Sequence, residues 1–206
     1  MNCFLTGTDT DVGKTFVATL LVRALRRAGL DTVAMKPICC GDRSDSELLH
    51  RACGKSIPLD DVNPVWLDTP AAPAVAAASA GRAIDLDLIR STFARLRGTH
   101  RSLLVEGVGG WLVPIAPGYL VADLARDFGL PVVVVVRNRL GALNHTLLTV
   151  ESVRARGLPC AGIILNNIDA PDEASRTNRA ALEDLLDVPV LFEIARDQRV
   201  IELGIA

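Results

Sequence analysis

Aliphatic runs of strand length alternate along this chain with stretches whose apolar residues recur every three to four positions. Residues 2–6 (NCFLT), 32–40 (TVAMKPICC), 102–107 (SLLVEG), 131–136 (PVVVVV), 160–167 (CAGIILNN) and 188–194 (VPVLFEI) predict strands. Helical spacing fills the intervals, at 17–29, 44–53, 71–80, 85–97, 120–129, 140–157 and 173–186. Gly29 closes the first of these helices and Ser44 is placed to cap the second. Pro37 favours a strand end or edge, because proline cannot donate to a ladder. Residues 54–73 are rich in Pro and Asp and predict an extended excursion over the surface.

Strands separated by crossover helices imply a largely parallel sheet covered on both faces. The expected architecture is therefore α/β: a mostly parallel central sheet flanked by helices, three layers in all. The chain of 206 residues is long enough for one well-buried core, and residues 1–206 are expected to form a single domain. Half of the residues are hydrophobic but only 4% aromatic, so that core must be built from Val, Leu, Ile and Ala.

Charge and cysteine content narrow the function classes. A net charge of -2 gives no global reason to expect a nucleic-acid partner. No segment approaches the roughly 20 continuous apolar residues of a membrane span, and no basic-then-apolar leader precedes the first strand. The five cysteines (Cys3, Cys39, Cys40, Cys53, Cys160) form no C-x-x-C pair and are expected to be reduced thiols of a cytoplasmic protein.

The chemistry begins at TGTDTDVGKT, residues 6–15. A phosphate-binding loop has a glycine, four residues, then Gly-Lys-Ser/Thr; here Thr8 stands where the first glycine belongs and Gly7 lies one position early. The context is nevertheless strand, loop, helix. That order presents successive backbone N–H groups and a positive helix end to a polyphosphate. Lys14 would reach the outer phosphates and the Thr15 hydroxyl would ligate Mg²⁺.

A second site lies at LLVEGVGG, where an apolar strand ends in Glu106 and passes into Gly107, Val108, Gly109 and Gly110. A carboxylate there can hold Mg²⁺, and the glycines leave room for phosphate beside the backbone. In MKPICCG, Lys36 sits at the carboxyl end of a strand expected to lie beside the one that carries the phosphate loop. Position alone favours a solvated lysine at Lys36 and a helix-dipole acid at Asp45. Asn144 and His145 open a helix; His145 is read as structural. Asn166 and Asn167 end a strand and can either read an adenine edge or build a turn.

Taken together, GTDTDVGKT, the KP…G segment, VEGVGG, LGxxNHTLLT and the Asn-Asn strand end resemble dethiobiotin synthetase, the ATP-dependent ligase of biotin biosynthesis with a phosphate-loop NTPase-like fold. They occur in that family's order over nearly the whole chain. The resemblance implies a homodimer that carboxylates 7,8-diaminononanoate with CO₂, activates the carbamate with ATP and closes a ureido ring. It implies that Asp11, Val12, Gly13, Lys14, Thr15 and Phe16 wrap ATP, with Gly107, Val108 and Gly109 nearby and Asn166 and Asn167 at the adenine. Thr15, Asp45 and Glu106 would hold Mg²⁺; Lys36, Lys14 and Thr10 would be catalytic.

Substrate contacts would come from Thr10, from Cys40 where the family commonly carries a hydroxyl, and from Leu143 and Asn144 across a subunit interface. The family's last strand usually ends Glu-Ile-Pro, whereas this one reads Glu193-Ile194-Ala195, and residues 68–74 (DTPAAPA) replace a stretch that often carries Ser and His. A partition- or septum-positioning ATPase is the alternative. Such proteins usually carry an additional lysine early in the phosphate loop, and no lysine precedes Lys14 here.

Overall fold

A computed structural model describes residues 1–203. Six strands form one parallel sheet: β1 (Asn2–Gly7), β2 (Thr32–Met35), β5 (Ser102–Glu106), β8 (Val132–Arg137), β9 (Cys160–Asn166) and β10 (Val190–Ile194). Their spatial order is β10-β9-β8-β1-β5-β2, so the first strand lies inside the sheet and ligand-facing loops gather at its carboxyl edge. Strands β1, β5 and β8 read as aliphatic runs because both sheet faces are covered; every residue of β5 is buried.

The connecting helices are α1 (Lys14–Arg27), α2 (Ser44–Ala52), α5 (Leu86–Thr99), α6 (Val121–Phe128), α7 (Ala142–Ala155) and α8 (Glu173–Leu185). One continuous apolar core runs from Cys3 to Ile201. At its centre Phe4 meets Trp111 edge-on and lies tilted against Phe128, with centroids 6.5 and 6.4 Å away.

Four expectations change in the structure. Residues 32–40 are two strands, because β2 stops at Met35 and Pro37 cannot continue the ladder with β5. Past that proline, β3 (Ile38–Cys40) pairs in parallel with β4 (Val65–Leu67), in a sheet of its own. The stretch 54–73 is accordingly structured: short α3 (Leu59–Val62) leads into β4, and Val62, Val65 and Leu67 are buried. Ser44 is the first residue of α2 rather than its cap; the Asp42 carboxylate accepts from its N–H at 2.9 Å.

The fourth change is in the sheet order. The strand that delivers Lys36 does not neighbour β1; β5 lies between them and carries Glu106. Two small elements also escaped the pattern, an antiparallel hairpin of β6 (Pro114–Ala116) and β7 (Tyr119–Leu120), and α4 is shorter than its alanine run (Pro73–Ser79).

Truncating Phe4 would leave a cavity between the sheet and two aromatic rings. Phe4→Ala is expected to lower unfolding free energy by about 3–5 kcal/mol, measured by denaturant titration, with native secondary structure retained at low denaturant.

Candidate functional site

The loop from Gly7 to Lys14 wraps tightly because of its two framing glycines. A Cβ on Gly7 would meet Val12 Cγ2 at 2.7 Å and the Asp9 carbonyl at 2.8 Å. The close approach therefore falls at position 7, and Thr8 is free to carry a side chain while its N–H donates to the Val135 carbonyl at 3.1 Å. The offset glycine is where the backbone needs it. Gly13 adopts φ +85°, and a Cβ there would lie 2.2 Å from Asn166 Nδ2. That amide donates to the Val12 carbonyl at 3.0 Å, tying the carboxyl end of β9 to the loop.

Helix α1 starts at Lys14 itself, three residues earlier than the apolar spacing predicted, so its free N–H groups face the loop. The Lys14 ammonium is buried and donates to the Asp9 carbonyl at 3.0 Å. Burial pushes its pKa down; Glu106 pulls it back up, and neighbouring Lys36 lowers it again.

Four sequence candidates converge beside it. Lys36 Nζ donates to Glu106 Oε1 at 2.9 Å, to Asp45, and to Thr15 Oγ1 at 3.4 Å. The Thr15 hydroxyl in turn donates to Glu106 Oε1 at 2.6 Å. Burial alone would lower the Lys36 pKa, but the Glu106 and Asp45 carboxylates outweigh it and hold it above the ordinary lysine value. Glu106 is fully buried, and its second oxygen, Oε2, has no hydrogen-bond partner among the described residues.

An orphaned carboxylate oxygen of this kind is unusual in a native interior. With the Thr15 hydroxyl and Asp45 it makes a hard-oxygen donor set. Among the described residues no cluster of three or more His, Cys, Asp or Glu exists. Mg²⁺ needs none, since it is commonly held by one or two carboxylates plus phosphate oxygens and water. The residues fit that ion.

These groups open onto a cleft of about 910 Å³. Thr10, Asp11, Gly13, Lys14, Thr15, Phe16, Lys36, Cys40, Asp45, Glu106, Val108 and Gly109 all line it. Val12, Gly107, Asn166 and Asn167 do not line it. Asn167 bonds the Ile194 carbonyl and Glu193 and accepts from Asn138. Leu143 and Asn144 lie outside the cleft, in the first turn of α7, with Asn144 exposed to solvent.

The structure adds lining residues that sequence reasoning passed over. Thr19, Leu20 and Arg23 join Phe16 in one stripe of α1, at the three-to-four spacing that marks a helix face. Pro70 to Pro73 close the opposite side, and Arg199 reaches in from the segment after β10.

A family model described as an AAA domain matches residues 1–202. The ATP-dependent dethiobiotin synthetase BioD of Akkermansia muciniphila is 44% identical over 205 residues, spanning 99% of this chain and 96% of that protein. The proteins of the same description from Aromatoleum aromaticum and Anaeromyxobacter dehalogenans are 45% and 48% identical, covering 91% and 86% of this chain and 87% and 82% of their own lengths.

Among solved structures, the septum site-determining protein MinD of Pyrococcus horikoshii aligns with a TM-score of 0.56 at 20% identity, over 96% of this chain and 82% of that one. The cell division protein FtsY of Thermotoga maritima aligns at 0.58 with 14% identity, over 98% and 65%. At such identities these two share the fold alone, the phosphate-loop NTPase arrangement.

Burial pushes the Cys40 thiol up to about 11. Its thiolate fraction at pH 8 is then about one in a thousand. Alkylation of Cys40 by iodoacetamide, followed by peptide mass spectrometry, is expected to be far slower than for a free thiol at pH 8 and to accelerate about tenfold per pH unit until near pH 11.

Proposed function

The chain belongs to the family of ATP-dependent dethiobiotin synthetases, and on that premise we propose how its residues divide the reaction. The activity is that of an ATP-dependent ligase forming dethiobiotin in biotin biosynthesis. The distant likeness to MinD concerns the fold and carries no switch function. One observation supports the division of roles: Thr15, Lys36, Asp45 and Glu106 meet at a single point in front of the phosphate loop.

In this reading one amine of 7,8-diaminononanoate adds to CO₂ and loses a proton, giving a carbamate. A carbamate oxygen attacks the γ-phosphorus of ATP; the bond to the β-phosphate oxygen breaks and ADP leaves. The second amine then attacks the carbamoyl carbon, expelling phosphate and closing the ureido ring. Each step gathers negative charge, so the enzyme's task is to place cations before the reaction starts.

The backbone of Asp11 to Phe16 binds the ATP phosphates, and Lys14 sits where the β- and γ-oxygens arrive. Lys36 stays an ammonium between its two carboxylates and stabilises the transferring phosphoryl group. Thr15, Asp45 and Glu106 would hold Mg²⁺, which would supply charge neutralisation on the phosphates. Thr10, on the lip of the cleft, faces the diamine together with Cys40. Asn166 and Asn167 border the adenine.

A homodimer completes the site in this proposal, with Leu143 and Asn144 of a second copy approaching the substrate tail. The exposed leucines Leu112 and Leu148, which line a groove with Thr8, Asp9 and Trp111, support such a contact. We read the enzyme as acting in the cytoplasm, without membrane or nucleic-acid partners; no helix of the described residues is long and apolar enough to cross a membrane.

Two measurements test this. ATP consumption is expected to require Mg²⁺, bicarbonate and the diamine together, with dethiobiotin as product by mass spectrometry; vigorous ATP hydrolysis indifferent to the diamine would favour the switch alternative. Lys36→Met is expected to lower kcat by about 10²–10³-fold, while ATP binding, carried by the phosphate loop, changes far less.

A further inference from the structure

Lys36 can serve two carboxylates and a hydroxyl only if its backbone is held still, and the sheet does not hold it. The ladder between β2 and β5 ends at Met35, and Pro37 has no N–H with which to extend it. Lys36 therefore leaves the sheet at the position where accuracy matters most. Its two peptide groups are nevertheless satisfied. The Lys36 N–H donates to the Val62 carbonyl at 2.6 Å, and the Lys36 carbonyl accepts from Asn63 Nδ2 at 2.9 Å.

Asn63 is fully buried, between α3 and β4, and every polar atom of its side chain is used. Nδ2 donates a second time, to the Val65 carbonyl at 2.9 Å. Oδ1 accepts from Arg43 Nε at 2.9 Å, and the Asn63 carbonyl accepts from the same guanidinium at 2.7 Å. Arg43 immediately precedes α2, at its N-cap position, and Asp45 lies in the first turn of that helix. The backbone of Asn63 is extended (φ -137°, ψ 86°), and Pro64 after it disfavours the helical alternative.

We infer that Asn63 is the positioning residue for Lys36. One buried amide joins the carboxyl end of β2 to the start of α2, and so sets the separation of Lys36 from Asp45 without touching any reactant. No other residue type has this donor and acceptor set in so short a side chain: Asp would lose both donors, and Gln would overreach. Geometry at a reacting centre is sensitive, with a displacement of about 1 Å able to lower a rate by about 10²-fold. The inference rests on the role given to Lys36 above.

The test compares wild type, Lys36→Met, Asn63→Ala, Arg43→Met and the Lys36→Met/Asn63→Ala double variant in steady-state dethiobiotin formation. Asn63→Ala is expected to lower kcat about 10–100-fold while KM for ATP moves by less than about threefold. In the double variant the loss is expected to be no larger than for Lys36→Met alone, because Asn63 acts only through that lysine. Arg43→Met, at a partly exposed position, is expected to lower kcat in the same direction by about 3–10-fold, and it carries the test if Asn63→Ala does not fold.

Losses that multiply in the double variant would mark Asn63 as a general scaffold residue and overturn the inference. So would normal kcat in both single variants, or a raised KM for ATP with kcat intact. Those outcomes leave the proposed function standing. A wild-type protein that makes no dethiobiotin, or a Lys36→Met enzyme at full rate, would overturn both.

Discussion

A buried ammonium shared between two carboxylates is the interaction on which the rest of this site depends. Lys36 and Glu106 have almost no contact with solvent, and taking two such charges out of water is costly unless they meet each other in good geometry. Removing one partner of such a pair typically costs about 3–5 kcal/mol. The fold therefore has a thermodynamic reason, quite apart from chemistry, to hold Lys36, Glu106 and Thr15 in one place. Glu106 still keeps one oxygen unpartnered, and a protein tolerates that penalty where a ligand will relieve it.

Around this pair the backbone does most of the positioning. Sheet order puts Glu106 on β5, directly between the strand that delivers the phosphate loop and the strand that delivers Lys36. Parallel registers, with Leu5 opposite Glu106 and Met35 opposite Val105, bring all three strand ends to the same edge. The loop is then gripped from the far side by Asn166, whose amide reaches the Val12 carbonyl across 154 positions of sequence. Beyond the edge the small β3–β4 sheet carries Cys40 into the cleft. Many unrelated activities use the same sheet and loop, so the function is carried by what stands around the loop rather than by the fold.

Much of this was legible in the residues. The six strands of the main sheet were readable because each is an aliphatic run of the right length, and the helices between them because of their spacing. The loop and Glu106 suggested chemistry from their own residues, whereas Lys36 and Asp45 stood out only through the family resemblance. What misled were local rules overridden by contacts distant in sequence. The Pro- and Asp-rich stretch 54–73 looked like surface, yet Val62, Asn63 and Leu67 are buried there, because they close the end of β2 that Pro37 leaves open. Ser44 looked like a cap, but Asp42 supplies that bond two residues earlier.

The sequence by itself determined which residue types were present to bind phosphate and charge, and that strands and helices would alternate into a parallel sheet, because periodicity and loop chemistry are local properties. Only the tertiary structure decided that β5 lies between β1 and β2, that Gly7 rather than position 8 must lack a side chain, and that Asn63 fixes Lys36 from behind. Those facts depend on distances between segments far apart in the chain, and a separation in space leaves no periodic signal in the order of residues.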